Sequence, residues 1–161
     1  MDDIDVILDQ WARERPDLDC SSMAIFGRLS RIYEHIQSRY RQGVMPYDLN
    51  PGEFDVLATL RRAGDSYTLT AGELTQSLMV TGGAVTNRID RLVAKGLVDR
   101  REDPANRRSV LISLTADGLA LIDTLVVEHV NRQQDMLHEL SLAERQQLAD
   151  LLRKLLHRFE P

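Results

Sequence analysis

Seven cations, Arg88, Arg91, Lys95, Arg100, Arg101, Arg107 and Arg108, fall between residues 81 and 110 against four carboxylates, giving that stretch a net charge of +3. Cations at this density can meet the phosphates of nucleic acid. Thr86 and Asn87 stand close to Arg91, and these residue types suit reading of DNA. An asparagine can pair with adenine, a threonine methyl can touch thymine, and an arginine can reach phosphate. Just ahead, Thr81-Gly82-Gly83 offers backbone N–H groups at a helix start, and the missing glycine side chains let a phosphate come close. The alternative for the same residues is a turn followed by a solvated polar helix face.

A helix has to present this group. Spacing predicts one from Val80 to Lys95, with Val85, Ile89 and Leu92 on its buried face and Gly82, Gly83, Thr86, Asn87, Asp90 and Arg91 outward or along the rim. Gly96 stops it. Thr70-Ala71-Gly72-Glu73 is a capping box opening a shorter helix that ends near Leu78, and the pair has the spacing of a helix-turn-helix. Asn50-Pro51-Gly52-Glu53 opens another helix reaching about Ala63. After Gly96, Leu97 to Arg101 leads into a polar loop, Glu102 to Arg107, and Val110 to Leu114 returns as a strand. Helix, helix and hairpin predict a winged helix-turn-helix in a mainly α (α+β) chain. In the hairpin, Arg101, Arg107 and Arg108 flank Pro104 on a loop, a wing able to straddle phosphate or enter a narrow minor groove. Ordinary solvated charge is the alternative.

The two ends carry wide apolar stripes. A short helix over residues 4–14 holds Ile4, Ile7, Leu8 and Trp11, and a long one from about Asp19 to Gln42 holds Phe26, Leu29, Tyr33, Ile36 and Tyr40. Thr115 caps a long helix carrying Leu119, Ile122, Val126 and later Leu137 and Leu140. Ser141-Leu142-Ala143-Glu144 restarts a helix with Leu148, Leu151, Leu152, Leu155, Leu156 and Phe159. Such stripes need more partner surface than one small DNA-reading lobe offers, which predicts a homodimer. Residues 1–46 and 116–161 are expected to be dimerisation helices around a DNA-binding lobe at 50–115. An intramolecular bundle is the competing arrangement.

Composition sets outer limits. The chain has 161 residues, 43% hydrophobic and 28% charged, with a net charge of -5, as a single globular domain does. Residues 1–20 alone carry a net -5, so that end repels DNA. The longest apolar runs, Met23 to Phe26 and Leu119 to Ile122, are far below the roughly 18 residues of a membrane span. The acidic N-terminus is unlike a signal peptide, and a cytoplasmic location with no membrane partner is expected. Cys20 is the single cysteine, so disulfides are excluded. His35, His129, His138 and His157 are scattered and form no compact ligand motif with Cys20, so no metal and no cofactor are expected. No phosphate-cradling glycine motif and no Ser/His/Asp order stands out, and no catalytic residue is assigned. A winged helix that binds only protein remains a third class; steep salt dependence separates it from a DNA binder.

From Leu74 to Thr115 the sequence resembles the MarR family of bacterial transcription regulators. Val85-Thr86-Asn87-Arg88-Ile89-Asp90-Arg91-Leu92, Gly96-Leu97-Val98, Asp103-Pro104-Ala105-Asn106-Arg107-Arg108-Ser109-Val110-Leu111 and Leu114-Thr115 carry the likeness. The resemblance implies a homodimer with two winged lobes on a palindromic double-stranded DNA operator, repressing until a small ligand relieves it. Recognition helices about 34–36 Å apart, one DNA turn, fit such an operator. The chain departs from the family pattern at Asn87, where many members have arginine, and at Asn106 in the wing, where many have aspartate.

Trp11 in an added N-terminal helix, Asp55, Arg88 and Arg100 resemble the urate-responsive subgroup that includes PecS-type regulators. Asp55 lies among Phe54, Val56, Leu57 and Ala58, so its carboxylate is expected to be partly buried and to need a cation, which Arg88 can supply. A flat anionic purine such as urate can stack on Trp11 and take hydrogen bonds from arginine, competing with Asp55 and shifting the DNA-reading helix. The other reading is a structural Asp55–Arg88 pair with Trp11 as an anchor. Phenolic compounds are an alternative effector class, and oxidation of Cys20 an alternative signal. The acidic neighbours Asp17 and Asp19 work against a reactive thiolate there.

Overall fold

Side-chain caps start the helices where the sequence places them. Asn50 accepts from the Glu53 N–H at 3.0 Å while the Glu53 carboxylate accepts the Asn50 N–H at 2.9 Å. Thr70 with Glu73 and Ser141 with Glu144 repeat this reciprocal bonding, and Thr115 caps Gly118. A further box, Asp2 with Asp5, starts the first helix. Each satisfies backbone donors that a helix start leaves without partners.

The structure is a computed structural model that describes residues 1–78 and 82–160, with the backbone alone at residues 82, 107 and 108. Its elements are α1 (Asp3–Glu14), α2 (Ser21–Val44), a 3₁₀ turn (Met45–Tyr47), α3 (Pro51–Arg61), β1 (Thr68–Thr70), α4 (Ala71–Leu78), α5 (Gly82–Ala94), β2 (Val98–Asp103), β3 (Asn106–Leu114), α6 (Ala116–Met136) and α7 (Leu142–Leu156). Internal contacts divide the chain into two units, Met1–Asp48 and Leu49–Pro161. No helix among the described residues is long and apolar enough to cross a membrane.

In the first unit α1 is fastened to α2 largely by charge. Arg28 donates to Asp2 at 2.9 Å and to Asp5 at 2.5 Å, and Arg31 donates to Asp3 at 2.8 Å. Ile4 is the buried residue of α1 and seats on Gly27, where a Cβ would come within 3.0 Å of it. Ile25, Phe26, Ile32, Tyr33 and Ile36 of α2 remain exposed.

In the second unit the core gathers Val56, Leu57 and Leu60 of α3, Leu74 of α4, Val85, Ile89 and Leu92 of α5, Val98, Ile112, and Ile122 and Leu125 of α6. Burying each such side chain contributes roughly 1.5–3 kcal/mol. The sheet runs β1-β3-β2, all antiparallel.

Three expectations are corrected. β1 is a strand the sequence reading left out, paired through Thr68↔Ser113 and Thr70↔Leu111. The polar loop at Glu102 to Arg107 is mostly strand, because cross-strand pairing such as Arg101↔Leu111 and Glu102↔Val110 carries a sequence of low strand preference. Leu137 and Leu140 lie outside α6, in a turn whose carbonyls Arg145 binds at 2.8 and 2.9 Å. α7 buries none of its residues; Leu148, Leu151, Leu152 and Leu156 are all exposed.

Candidate nucleic-acid interface

The exposed face of α5 is fixed by what the helix buries. With Val85, Ile89 and Leu92 at 1% exposure or less, Gly83, Thr86, Asn87, Asp90 and Arg91 are left exposed. Gly83, Asn87 and Arg91 recur every four residues and form one row, with Thr86 and Asp90 as the row beside it. Gly82 and Gly83 belong to α5, while Val80 and Thr81, where the expected helix begins, lie outside the described residues.

The far end of α5 closes on Gly96, in the left-handed region at φ 68°. Leu97 N–H reaches back to the Leu92 carbonyl at 3.0 Å and Gly96 N–H to that of Val93 at 2.9 Å, the double bond of a Schellman cap. That cap turns the chain into β2. Arg101 lies exposed on β2, and Arg107 and Arg108 belong to β3, so all three are strand residues rather than loop residues. Only Pro104 and Ala105 connect the two strands.

Arg100 pairs with a carboxylate of α5. From β2 its guanidinium reaches Asp90 of α5 at 3.0 Å, tying the hairpin to that helix. Trp11 sits on α1 of the first unit and is 38% exposed. Asp55 is half-buried on α3, as expected. It faces His129 of α6, whose ring lies 5.1 Å from that of Phe54. Burial holds the His129 imidazole below its ordinary pKa, Arg132 adds to this and Asp55 opposes it.

Arg88 reaches from α5 to the first turn of α3. Its guanidinium occupies the space beside Gly52, where a Cβ would stand 2.5 Å from Nε and 2.6 Å from Cζ. Gly52 and Asp55 share a face of α3 at i,i+3 spacing. Cys20 is partly buried at the N-cap of α2 and makes no side-chain cap bond.

A family model described as MarR family matches residues 47–109, from the last residue of the 3₁₀ turn into the first part of β3. The HTH-type transcriptional regulator PecS of Dickeya dadantii (strain 3937) is 40% identical over 146 residues, covering 91% of this chain and 88% of PecS. The chain belongs to the MarR family. A cysteine-to-serine mutant of Escherichia coli MarR complexed with operator DNA is similar in structure, with a TM-score of 0.69, 31% identity, and coverage of 91% of this chain and 97% of that one. Bordetella bronchiseptica BpsR, whose DNA binding is regulated by 6-hydroxynicotinic acid, matches with a TM-score of 0.71 and 30% identity, over 82% of this chain and 98% of its own. This MarR-family chain is accordingly a transcription regulator, not an enzyme.

Two contacts of this MarR-family lobe escaped the sequence reading. Glu53 was legible as a cap, yet its carboxylate is also 3.1 Å from Lys95 at the end of α5. Gly52 gave no signal because what matters there is a missing side chain.

Proposed function

We propose that this protein is a cytoplasmic homodimeric repressor that reads a palindromic operator and is released by a small, flat, anionic aromatic ligand such as urate. The observation that carries the reading is the exposed row Gly83, Asn87 and Arg91 beside Thr86, opposite a fully buried apolar face and next to a wing bearing Arg101, Arg107 and Arg108. The helix enters the major groove, Asn87 and Thr86 meet base edges, and the arginines take phosphate. The kinship with MarR bound to operator DNA and with PecS supports this assignment.

A second copy covers the apolar residues that α2, α6 and α7 leave exposed, Phe26 and Tyr33, Val127 and Val130, and Leu151 and Leu156 among them. In this reading residues 1–46 and 116–161 supply the dimer helices and residues 50–115 the DNA lobe. An anionic ligand takes its hydrogen bonds from Arg88, with Arg100 at the margin through Asp90. Regulation of the related BpsR by a carboxylated pyridine favours this ligand class.

The test is binding of the purified protein to DNA upstream of its own gene, titrated with urate, for wild type and Arg88→Ala, with the mass in solution measured alongside. Dimer mass, operator binding, release of wild type by urate and weak release of the variant support the reading. Specific binding that urate leaves unchanged removes the effector assignment and directs the search to phenolic acids and to Cys20 oxidation. A monomer mass at all concentrations removes the dimer.

A further inference from the structure

We infer that Gly52 is a positioning residue of the switch: its missing side chain is the seat that holds Arg88, and filling that seat moves the recognition helix without any ligand. The inference rests on the proposed operator and Arg88 readings and deepens them. Helix α5 is held to the first turn of α3 at two points seven residues apart. At Lys95 the hold is an ion pair of 3.1 Å to Glu53, whose carboxylate is 1% exposed. At Arg88 the hold is steric. The guanidinium lies where a Gly52 side chain would be, 2.5 Å from Nε, 2.6 Å from Cζ and 3.0 Å from Nη2.

The two contacts differ in what can undo them. Removing the Lys95 ammonium would leave a buried carboxylate without its cation, so that end is costly to shift. The Arg88 end needs only a guanidinium to swing away, and the flexible tip of a side chain yields more readily than backbone. Thr86 and Asn87 directly precede Arg88, so when the guanidinium leaves Gly52 the part of α5 proposed to read bases loses its contact with α3 and is loosened, while Lys95 still holds the other end. A ligand that draws Arg88 off Gly52 and a methyl group placed on Gly52 therefore have the same mechanical effect.

Gly52→Ala separates this role from an ordinary structural one. Gly52 lies inside the first turn of α3 and its φ is not positive, so alanine suits the helix backbone and should hold or raise the thermal midpoint. Operator affinity should fall about tenfold while the fold is kept. In an Arg88→Ala background the same substitution should change nothing further, because the group it displaces is gone. Hydrogen exchange of the α5 amides, measured without DNA on the same four proteins, should show faster exchange in Gly52→Ala and no added effect in the double variant. Equal operator affinity and equal α5 exchange in wild type and Gly52→Ala overturn the inference, as does a further loss in the double variant. If wild type itself fails to bind the operator, the DNA-binding reading fails; the exchange data then judge the Gly52–Arg88 seat separately.

Discussion

The ammonium of Lys95, at the C-terminal cap of α5, lies 3.1 Å from Oε2 of Glu53, a carboxylate almost wholly buried in the first turn of α3. The same oxygen accepts the Asn50 N–H at 2.9 Å, and Oε1 has no hydrogen-bond partner among the described residues. One carboxylate thus serves two helices, starting one and holding the end of the other.

Lys95→Met should lower unfolding stability by about 2 kcal/mol, since it strands that carboxylate; the part-exposed lysine keeps the loss below that of a fully buried pair. Glu53→Gln keeps an oxygen for the Asn50 cap and removes the charge, so it should cost less. Urea unfolding of both variants checks the order. A larger loss in Glu53→Gln would mean that the cap, rather than the ammonium, is the main support.

Gly118→Ala should be among the most damaging small substitutions in the second unit. A Cβ there would overlap the Leu97 carbonyl, which also accepts the Thr115 N–H at 3.2 Å. Backbone cannot swing aside as an arginine tip can, so α6 would have to lift from the turn before β2. A loss of about 2–3 kcal/mol is expected, read from the thermal or urea midpoint. An unchanged midpoint would show that α6 shifts at no cost.

The pH dependence of stability should carry a His129 component. Burial lowers its pKa in the folded protein, with Arg132 acting in the same direction, so folding favours the neutral ring. The contribution is complete above the unfolded histidine value of about 6.5 and is lost as pH falls through the lower folded value. Wild type should therefore lose more stability than His129→Gln between about pH 7.5 and about pH 5.5. Parallel curves for the two proteins would assign the pH dependence to other groups.

Docking of α1 should respond to salt and acid. Asp2 is held below its ordinary pKa first by the Arg28 guanidinium, and Asp5 first by the Asp2 N–H and then by Arg28. The stabilising effect is present above the unfolded aspartate value of about 3.9 and disappears as pH falls through the lower folded values. The chain has a single tryptophan, Trp11, on this helix, so its fluorescence anisotropy reports the docking directly. It should fall in Arg28→Ala and, in wild type, at high salt. Identical anisotropy in the two proteins would leave Ile4 on Gly27 as the sufficient fastening.

Local chemistry was legible and tertiary chemistry was not. Asn50, Thr70, Ser141 and Thr115 announce helix starts because a cap is made within four residues, and Gly96 announces the end of α5 for the same reason. Val85, Ile89 and Leu92 reveal the buried face, hence the exposed one, through helical period alone. By contrast, Thr68 to Thr70 becomes a strand only by pairing with β3, and Glu102, Asp103 and Asn106 are drawn into strands against their own preference. The partners of Arg100 and Lys95 were hidden likewise, because Asp90 and Glu53 lie 10 and 42 residues away along the chain. The seat of Arg88 beside Gly52 was hidden too, because a glycine neighbour leaves no trace in a pattern of side chains.

The outer strand of the wing also bears on how this protein behaves at high concentration. β2 has β3 on one side only, so its other side offers unpaired backbone groups on which another chain could build. Asp99, Arg100, Arg101 and Glu102 are consecutive, charged and exposed along that edge, and the register breaks between Glu102 and Asp103. An incoming strand would have to desolvate four consecutive charged side chains and then lose step at the bulge. The same side chains that suit a polyanion therefore make the sheet a poor template for self-propagating aggregation.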